Sequence, residues 1–144
     1  MPIALDTSFV IAACCAWHPA FSICRDALLE RPVEPLILPV HVMAESFSVL
    51  TRLPRPRRLP PNLAWRLLEE RFFSKCAAAS LEKQDLANAV AACRDAGAAG
   101  GRVYDALIAA SAARAGATVL WTLNPKHFLA VAPQGLAVMR PGGA

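Results

Sequence analysis

Asp6, Glu45 and Asp105 are the side chains whose types and surroundings could do chemistry. Asp6 closes the apolar run Ile3-Ala4-Leu5, and two hydroxyls, Thr7 and Ser8, follow it before apolar residues resume at helical spacing. Neither Asp6 nor Glu45 has a lysine or arginine within several positions, and Asp105 has only Arg102 in otherwise apolar company. A carboxylate in such surroundings must find a partner or give up its charge, because desolvating it alone costs too much. Brought together, the three would repel, so that they either protonate or share a divalent cation. Hard oxygen ligands suit Mg2+ or Mn2+, ions that keep waters and also bind phosphates. Taken singly, each acid could be no more than a cap or a helix-dipole carboxylate; their shared context is what points to a metal. Six of the other eight acids keep different company. Asp26 stands beside Arg25, Glu30 beside Arg31, Glu69 and Glu70 near Arg66 and Arg71, Glu82 beside Lys83, and Asp95 beside Arg94. These are solvated helix charges of small individual worth.

The elements that must position these acids follow from punctuation and period. Residues 3–6 read as a short buried strand and 8–16 as a helix capped by Ser8. A second helix spans about 20–30, and 31–35 is a proline-rich connector. A strand at 36–38 ends at Pro39, and a helix over about 40–52 carries Met43, Phe47 and Leu50 as its stripe, with Glu45 off it beside His41. Leu53 to Pro61 holds too many prolines for helix and reads as a stiff, extended basic arm. Asn62 is expected to cap a helix to about residue 75, Ala77–Ala79 to form a strand, and Ser80 to cap a helix ending near Gly97. The pattern then predicts a helix over 103–115 with Tyr104, Leu107, Ile108, Ser111 and Ala115 on its face, and a strand over 117–122. Asn124-Pro125 opens a short helix, and a terminal strand lies at 136–139. Strands alternating with helices predict one α/β domain over residues 1–140 with a mainly parallel sheet of four or five strands, and a disordered tail over 141–144. In such a sheet, strand ends and the starts of the following helices share one edge, where ligands bind. Asp6, Glu45 and Asp105 would meet there.

Composition bounds the function class. The chain has 144 residues and a net charge of +4, with Arg52, Arg55, Arg57 and Arg58 in one short stretch, a footprint suited to an anionic partner such as nucleic acid. Its 56% hydrophobic content is inflated by alanine, and no apolar run is long enough to span a membrane. The first residues lack a basic leader, and the five cysteines show no CxxC pair, which together suggest a reduced, cytoplasmic protein.

Four stretches carry a resemblance. Leu5-Asp6-Thr7-Ser8, Val42-Met43-Ala44-Glu45-Ser46-Phe47, Tyr104-Asp105-Ala106-Leu107-Ile108-Ala109 and Trp121-Thr122-Leu123-Asn124-Pro125-Lys126-His127-Phe128 occur in the order found in PIN domains. More narrowly, the chain resembles the VapC toxins of VapBC toxin–antitoxin pairs. The resemblance implies a three-layer PIN-like fold, a Mg2+- or Mn2+-dependent endoribonuclease, a VapB-like antitoxin and a homodimer. It assigns Asp6, Glu45 and Asp105 to catalysis. Asp6 and Asp105 would hold the metal, with Glu45 directly or through water. Thr7, Ser8 and Thr122 would support them, and Arg52, Arg55, Arg57 and Arg58 would contact RNA phosphates. Where many PIN domains carry a fourth acid, this chain has Asn124, which offers a carbonyl oxygen but no charge; its other role would be to cap the Pro125 helix. That departure leaves a second reading, a catalytically impaired PIN-like module that binds RNA or protein. Phosphoryl transfer through Asp6 is a third reading, but haloacid-dehalogenase-like proteins carry a second Asp where this chain has Ser8, and the acid pair of receiver domains is absent. His41 and His127 are expected in structural or rim roles. Trp17, Phe21, Phe47, Trp65 and Phe72 are candidates to line a groove for a partner helix.

Overall fold

A computed structural model describes residues 2–31 and 35–142. Five three-residue strands, β1 (Ile3–Leu5), β2 (Ile37–Pro39), β3 (Ala77–Ala79), β4 (Val119–Trp121) and β5 (Ala137–Met139), form one sheet in the order β3-β2-β1-β4-β5. Every pairing is parallel, with Ala4 opposite both Ile37 and Leu120, and Leu120 opposite Val138. Among the described residues six α-helices connect and cover it: α1 (Thr7–Cys14), α2 (Phe21–Glu30), α3 (Val40–Thr51), α4 (Pro61–Leu68), α5 (Lys83–Ala96) and α6 (Arg102–Arg114). The core comprises the central strand, whose Ala4 and Leu5 are fully buried, together with Phe9, Leu50, Leu68, Ile108, Leu120 and Phe128. This is the parallel α/β sheet expected from the alternation of elements. From β1 the chain first builds outward through β2 to β3, then returns to the other side of β1 for β4 and β5. The reversal lies between β1 and β4, and the crevice beyond their carboxyl ends is where such sheets bind ligands. Among the described residues no helix is long and apolar enough to cross a membrane.

Several local expectations are corrected, each by a contact that sequence-local rules do not contain. Ser8 lies inside α1, whose first flanking residue is Asp6, and its hydroxyl donates to the Asp6 carboxylate instead of capping. Asn62 lies within α4, which starts at Pro61, where the missing N–H costs nothing. That helix then loosens into a π-helical turn over Glu69–Phe73. Likewise α5 starts after Glu82, not at Ser80, and ends on Gly97 with φ of 66°, a conformation glycine adopts without strain. The buried face of α3 is Val42, Ser46 and Leu50, and that of α6 is Ala106, Ile108, Ala109, Ser111 and Ala112. Leu50, Ile108 and Ser111 are where the expected stripes put them, and Met43 and Phe47 pack on the core partly buried, but Val42, Ser46 and the α6 alanines lie deeper. The basic arm is a compact turn, not an extended segment. Arg57 N–H donates to the Pro54 carbonyl at 3.0 Å, Leu59 N–H returns to the Leu50 carbonyl at 3.1 Å, and Arg58 Nε holds the Leu53 carbonyl at 2.9 Å. At the end of the chain, Pro141 is buried and Gly142 lies in a turn against Ile23, so part of the expected tail is ordered. Residues 143–144, and Pro32 to Glu34 of the connector, lie outside the described residues.

Candidate active site at the sheet edge

Asp6 follows β1 directly. Its backbone N–H completes the sheet by donating to the Trp121 carbonyl at 3.0 Å, and its own carbonyl accepts from Val10 at 3.1 Å to start α1. The residue is thus clamped at both ends and only 6% exposed. Its Oδ2 accepts from Thr122 Oγ1 at 2.7 Å and from Ser8 Oγ at 2.9 Å. Each hydroxyl is itself oriented from behind: Leu123 N–H donates to Ser8 Oγ at 2.9 Å and Asn124 N–H to Thr122 Oγ1 at 3.1 Å. Each hydroxyl thus accepts a backbone N–H while donating to the carboxylate, and the two oxygens stand 3.1 Å apart. Burial nevertheless raises the Asp6 pKa; Thr122, Ser8 and the Thr7 N–H offset part of the rise, and Glu45 adds to it.

Asp105 enters from the first turn of α6. Its pKa is pushed up to about 6, first by burial and then by the Asp6 charge, with His127 opposing, Glu45 adding and Arg102 opposing. Glu45 enters from α3, one turn beyond His41, whose Nε2 stands 3.6 Å from Glu45 Oε2. The His41 ring lies nearly parallel to Tyr104, with centroids 4.8 Å apart and planes 8° apart. All three acids line one cleft of about 600 Å³. Thr7, Ser8 and Asn124 line it as well, while Thr122 stands behind it as the buried donor to Asp6. Asn124 precedes the 3-10 turn Pro125–Phe128 without capping it through its side chain, so the capping role is not used.

The four arginines named for RNA do not line this cleft. Arg52 and Arg55 are exposed, Arg58 is tied to its own turn, and Arg57 covers the Trp17 ring at 4.1 Å. Trp17 immediately precedes His18, Pro19 and Ala20, which form one wall of the cleft. The basic turn therefore braces the cleft from outside. His127 sits at the rim, as expected, and His41 serves Glu45.

Two cleft residues escaped the sequence reading. His18 accepts the Ala20 N–H at Nδ1, 3.0 Å away, and burial lowers its pKa, which keeps the ring neutral with its proton on Nε2. Arg140 Nη1 donates to the Leu123 carbonyl at 2.8 Å and brings a cation to the cleft. Arg140 follows the last strand of a parallel sheet, a position that carries it to the same edge as Asp6; that signal was available in the sequence. His18 offered none, since a histidine before proline marks only a break.

The donor set fits a divalent ion. Three carboxylates face one cleft, two of them with pKa values raised by burial first and then by the neighbouring carboxylates. Thr7 Oγ1, beside Asp6, is buried without a hydrogen-bond partner. Among the described residues no three acidic, imidazole or thiol groups close into a ready-made ligand cluster. That openness suits an ion that keeps several of its waters.

The fold, and a sheet edge built on Asp6, Glu45 and Asp105, define a protein of the PIN-domain family. The family model described as PIN domain matches residues 3–132, and the chain belongs to that family. Within it, the chain is 39% identical over 112 residues to ribonuclease VapC27 of Mycobacterium tuberculosis, an alignment covering 78% of this chain and 77% of that protein. Its fold is similar to the crystal structure of VapC20 from the same organism, described as a sarcin-ricin loop cleaving toxin. The TM-score is 0.74 at 17% identity, over 96% of this chain and 99% of that one. It is also similar to VapBC-1 of nontypeable Haemophilus influenzae, with a TM-score of 0.71 at 19% identity over 97% and 98% of the two chains. At these identities the solved structures speak to the fold alone.

Proposed function

We propose that this chain is a VapC-type toxin, a divalent-metal-dependent endoribonuclease that a VapB-like antitoxin neutralises. The observation that carries the reading is the cleft in which Asp6, Glu45 and Asp105 meet at the sheet edge without neutralising one another. The relationship to a protein named a ribonuclease supports the reaction class, and the likeness to VapBC-1 supports an antitoxin partner. Asp6 and Asp105 hold Mg2+ or Mn2+, with Glu45 reaching it directly or through water. When bound, the ion supplies charge neutralisation at the scissile phosphate and lowers the pKa of a water. The chain's own residues do the rest. Ser8 and Thr122 fix the Asp6 rotamer so that its second oxygen is the one offered to the cleft. His41 restrains Glu45, and Arg140 and His127 place donors on the rim for phosphate oxygens. Arg52 and Arg55 extend this field to the RNA backbone, giving binding that weakens with salt. Asn124 adds a carbonyl oxygen without charge, so a second ion depends on substrate phosphate to hold it.

The chain acts as a homodimer in the cytoplasm. Trp17 and Trp65, 40% and 52% exposed, remain candidates for the antitoxin helix, whereas Phe72 is a core residue and leaves that set. The test is RNA cleavage by purified, antitoxin-free protein. Cleavage is expected with Mg2+ or Mn2+, and its loss with EDTA or Asp6→Asn by about 100-fold or more. Activity that survives both would sink the metal mechanism. The reading of a module that binds without cutting would instead give RNA binding with no cleavage under any divalent ion.

A further inference from the structure

Tyr104 is 48% exposed and stands next to Asp105 in the first turn of α6. One face of its ring is covered by His41 in an offset parallel stack, 4.8 Å between centroids and 8° between planes. His41 is in turn held half-buried on α3, with Nε2 facing Glu45. The tyrosine plane is therefore set by two helices at once; it lies outside the cleft lining, next to Asp105 in sequence and joined to Glu45 through His41. The Tyr104 hydroxyl makes no hydrogen bond among the described residues, and the residue does not belong to the hydrophobic core. Among the described residues, the His41 stack is the ring contact recorded for Tyr104, whose ring stays half open to solvent. The other exposed aromatics are placed differently: Trp17 carries the Arg57 guanidinium on its ring, and Trp65 stands edge-on to Phe73 at 5.7 Å.

We infer that Tyr104, backed by His41, is a stacking platform for an unpaired nucleobase of the RNA beside the scissile phosphate. Single-stranded RNA is held by aromatic side chains on which splayed bases stack. A base on Tyr104 would extend the His41–Tyr104 stack by one layer and set the register of the backbone against Asp105 and Glu45. The platform discriminates unpaired from paired RNA, because a base inside a duplex has no free face. This inference rests on the RNA reading proposed above.

The test uses the full chain and a labelled, mixed-sequence RNA of about ten nucleotides. Binding is followed by fluorescence anisotropy with Ca2+ as the divalent ion and RNA integrity checked on a gel; cleavage with Mg2+ is measured separately. The RNA is scanned with single abasic positions. One abasic position is expected to weaken wild-type binding about tenfold, and Tyr104→Leu to weaken binding of intact RNA by a similar factor. The two losses should not add, and Tyr104→Phe should restore affinity to within about twofold. Fully additive losses would overturn the platform. So would a Tyr104→Leu defect that no abasic position reproduces, which would assign the ring to a protein contact. A chain that shows the coupling yet cleaves no RNA would keep the platform and overturn the nuclease reading; cleavage without the coupling would do the reverse.

Discussion

Asp85 and Asp105 occupy equivalent places, the first turns of the adjacent helices α5 and α6, and each lines a cleft. Around Asp85 the tertiary structure supplies a cation: Arg114 Nη1 lies 2.6 Å from its Oδ2, while Nη2 reaches Glu82 at 3.7 Å. The rest of that cleft, about 400 Å³, is mostly alanine. Around Asp105 the structure supplies Asp6 and Glu45, with His127 and Arg102 only partly compensating. Local sequence does not separate the two aspartates. What separates them is whether the facing element brings a guanidinium or more carboxylates. The first arrangement is a finished ion pair, and the second is electrostatically incomplete until a cation enters.

The comparison can be broken most directly by exchanging each carboxylate for its neutral isostere. Asp105→Asn should lower RNA cleavage by about 100-fold or more, since it removes charge where the reaction needs it. Asp85→Asn should leave cleavage within about twofold and cost at most ~1 kcal/mol of stability in urea melts, the worth of a partly exposed ion pair. Equal effects on cleavage would abolish the distinction.

A smaller effect sharpens the picture around Asp6. Thr122→Val keeps shape but removes the shorter of the two hydroxyl donors to a buried carboxylate and strands the Asn124 N–H. Stability at neutral pH should fall by about 1–3 kcal/mol, read by chemical denaturation. No change would mean that the hydroxyl network contributes nothing beyond packing.

The smallest effect is a pH dependence in metal-free buffer. Asp105 titrates at about 6 in the folded chain against an ordinary 3.8, so the folded state binds a proton more readily than the unfolded one. Ionised Asp105 therefore opposes folding above about pH 6, and the penalty is relieved as pH falls through 6 toward the unfolded value. In thermal melts, wild type should be less stable than Asp105→Asn at pH 7.5, and the gap should narrow toward pH 5. A divalent ion at pH 7.5 should narrow it too. A gap that widens on acidification would contradict the assigned cause.

Much of this site was legible before any coordinates. The β1–Asp6 junction could be read because an apolar run ending in an unpartnered acid has few outcomes in a buried parallel strand. Asp105 could be read because it lies in the first turn of a helix after a glycine break, and Glu45 because it lies one turn into the helix that follows a strand; β3 was placed residue for residue at Ala77–Ala79. Other features escaped for identifiable reasons. The turn at 53–60 is set by hydrogen bonds to the Leu50 carbonyl from Leu59 N–H and to the Leu53 carbonyl from the Arg58 side chain, which proline counting cannot supply. Ser8 looked like a cap because local rules know only the nearest backbone N–H, whereas its partners are Asp6 and, just beyond β4, Thr122 and Leu123. The helix faces were read in part: Leu50, Ile108 and Ser111 lie where expected, while Val42, Ser46 and the α6 alanines were missed by weighting side-chain size.

By itself, the sequence determined which segments are apolar enough to be strands, where prolines and glycines stop them, and which acids lack a local counter-charge. Those properties depend on residues a few positions apart, the range over which propensity and periodicity act. Only the tertiary structure decided which groups face one another. The hydroxyls behind Asp6, His41 stacked on Tyr104, Arg57 over Trp17 and Arg114 against Asp85 all join elements distant in the chain. Such pairings follow from strand order and register, and register is set by how the whole sheet and its helices bury their apolar faces together.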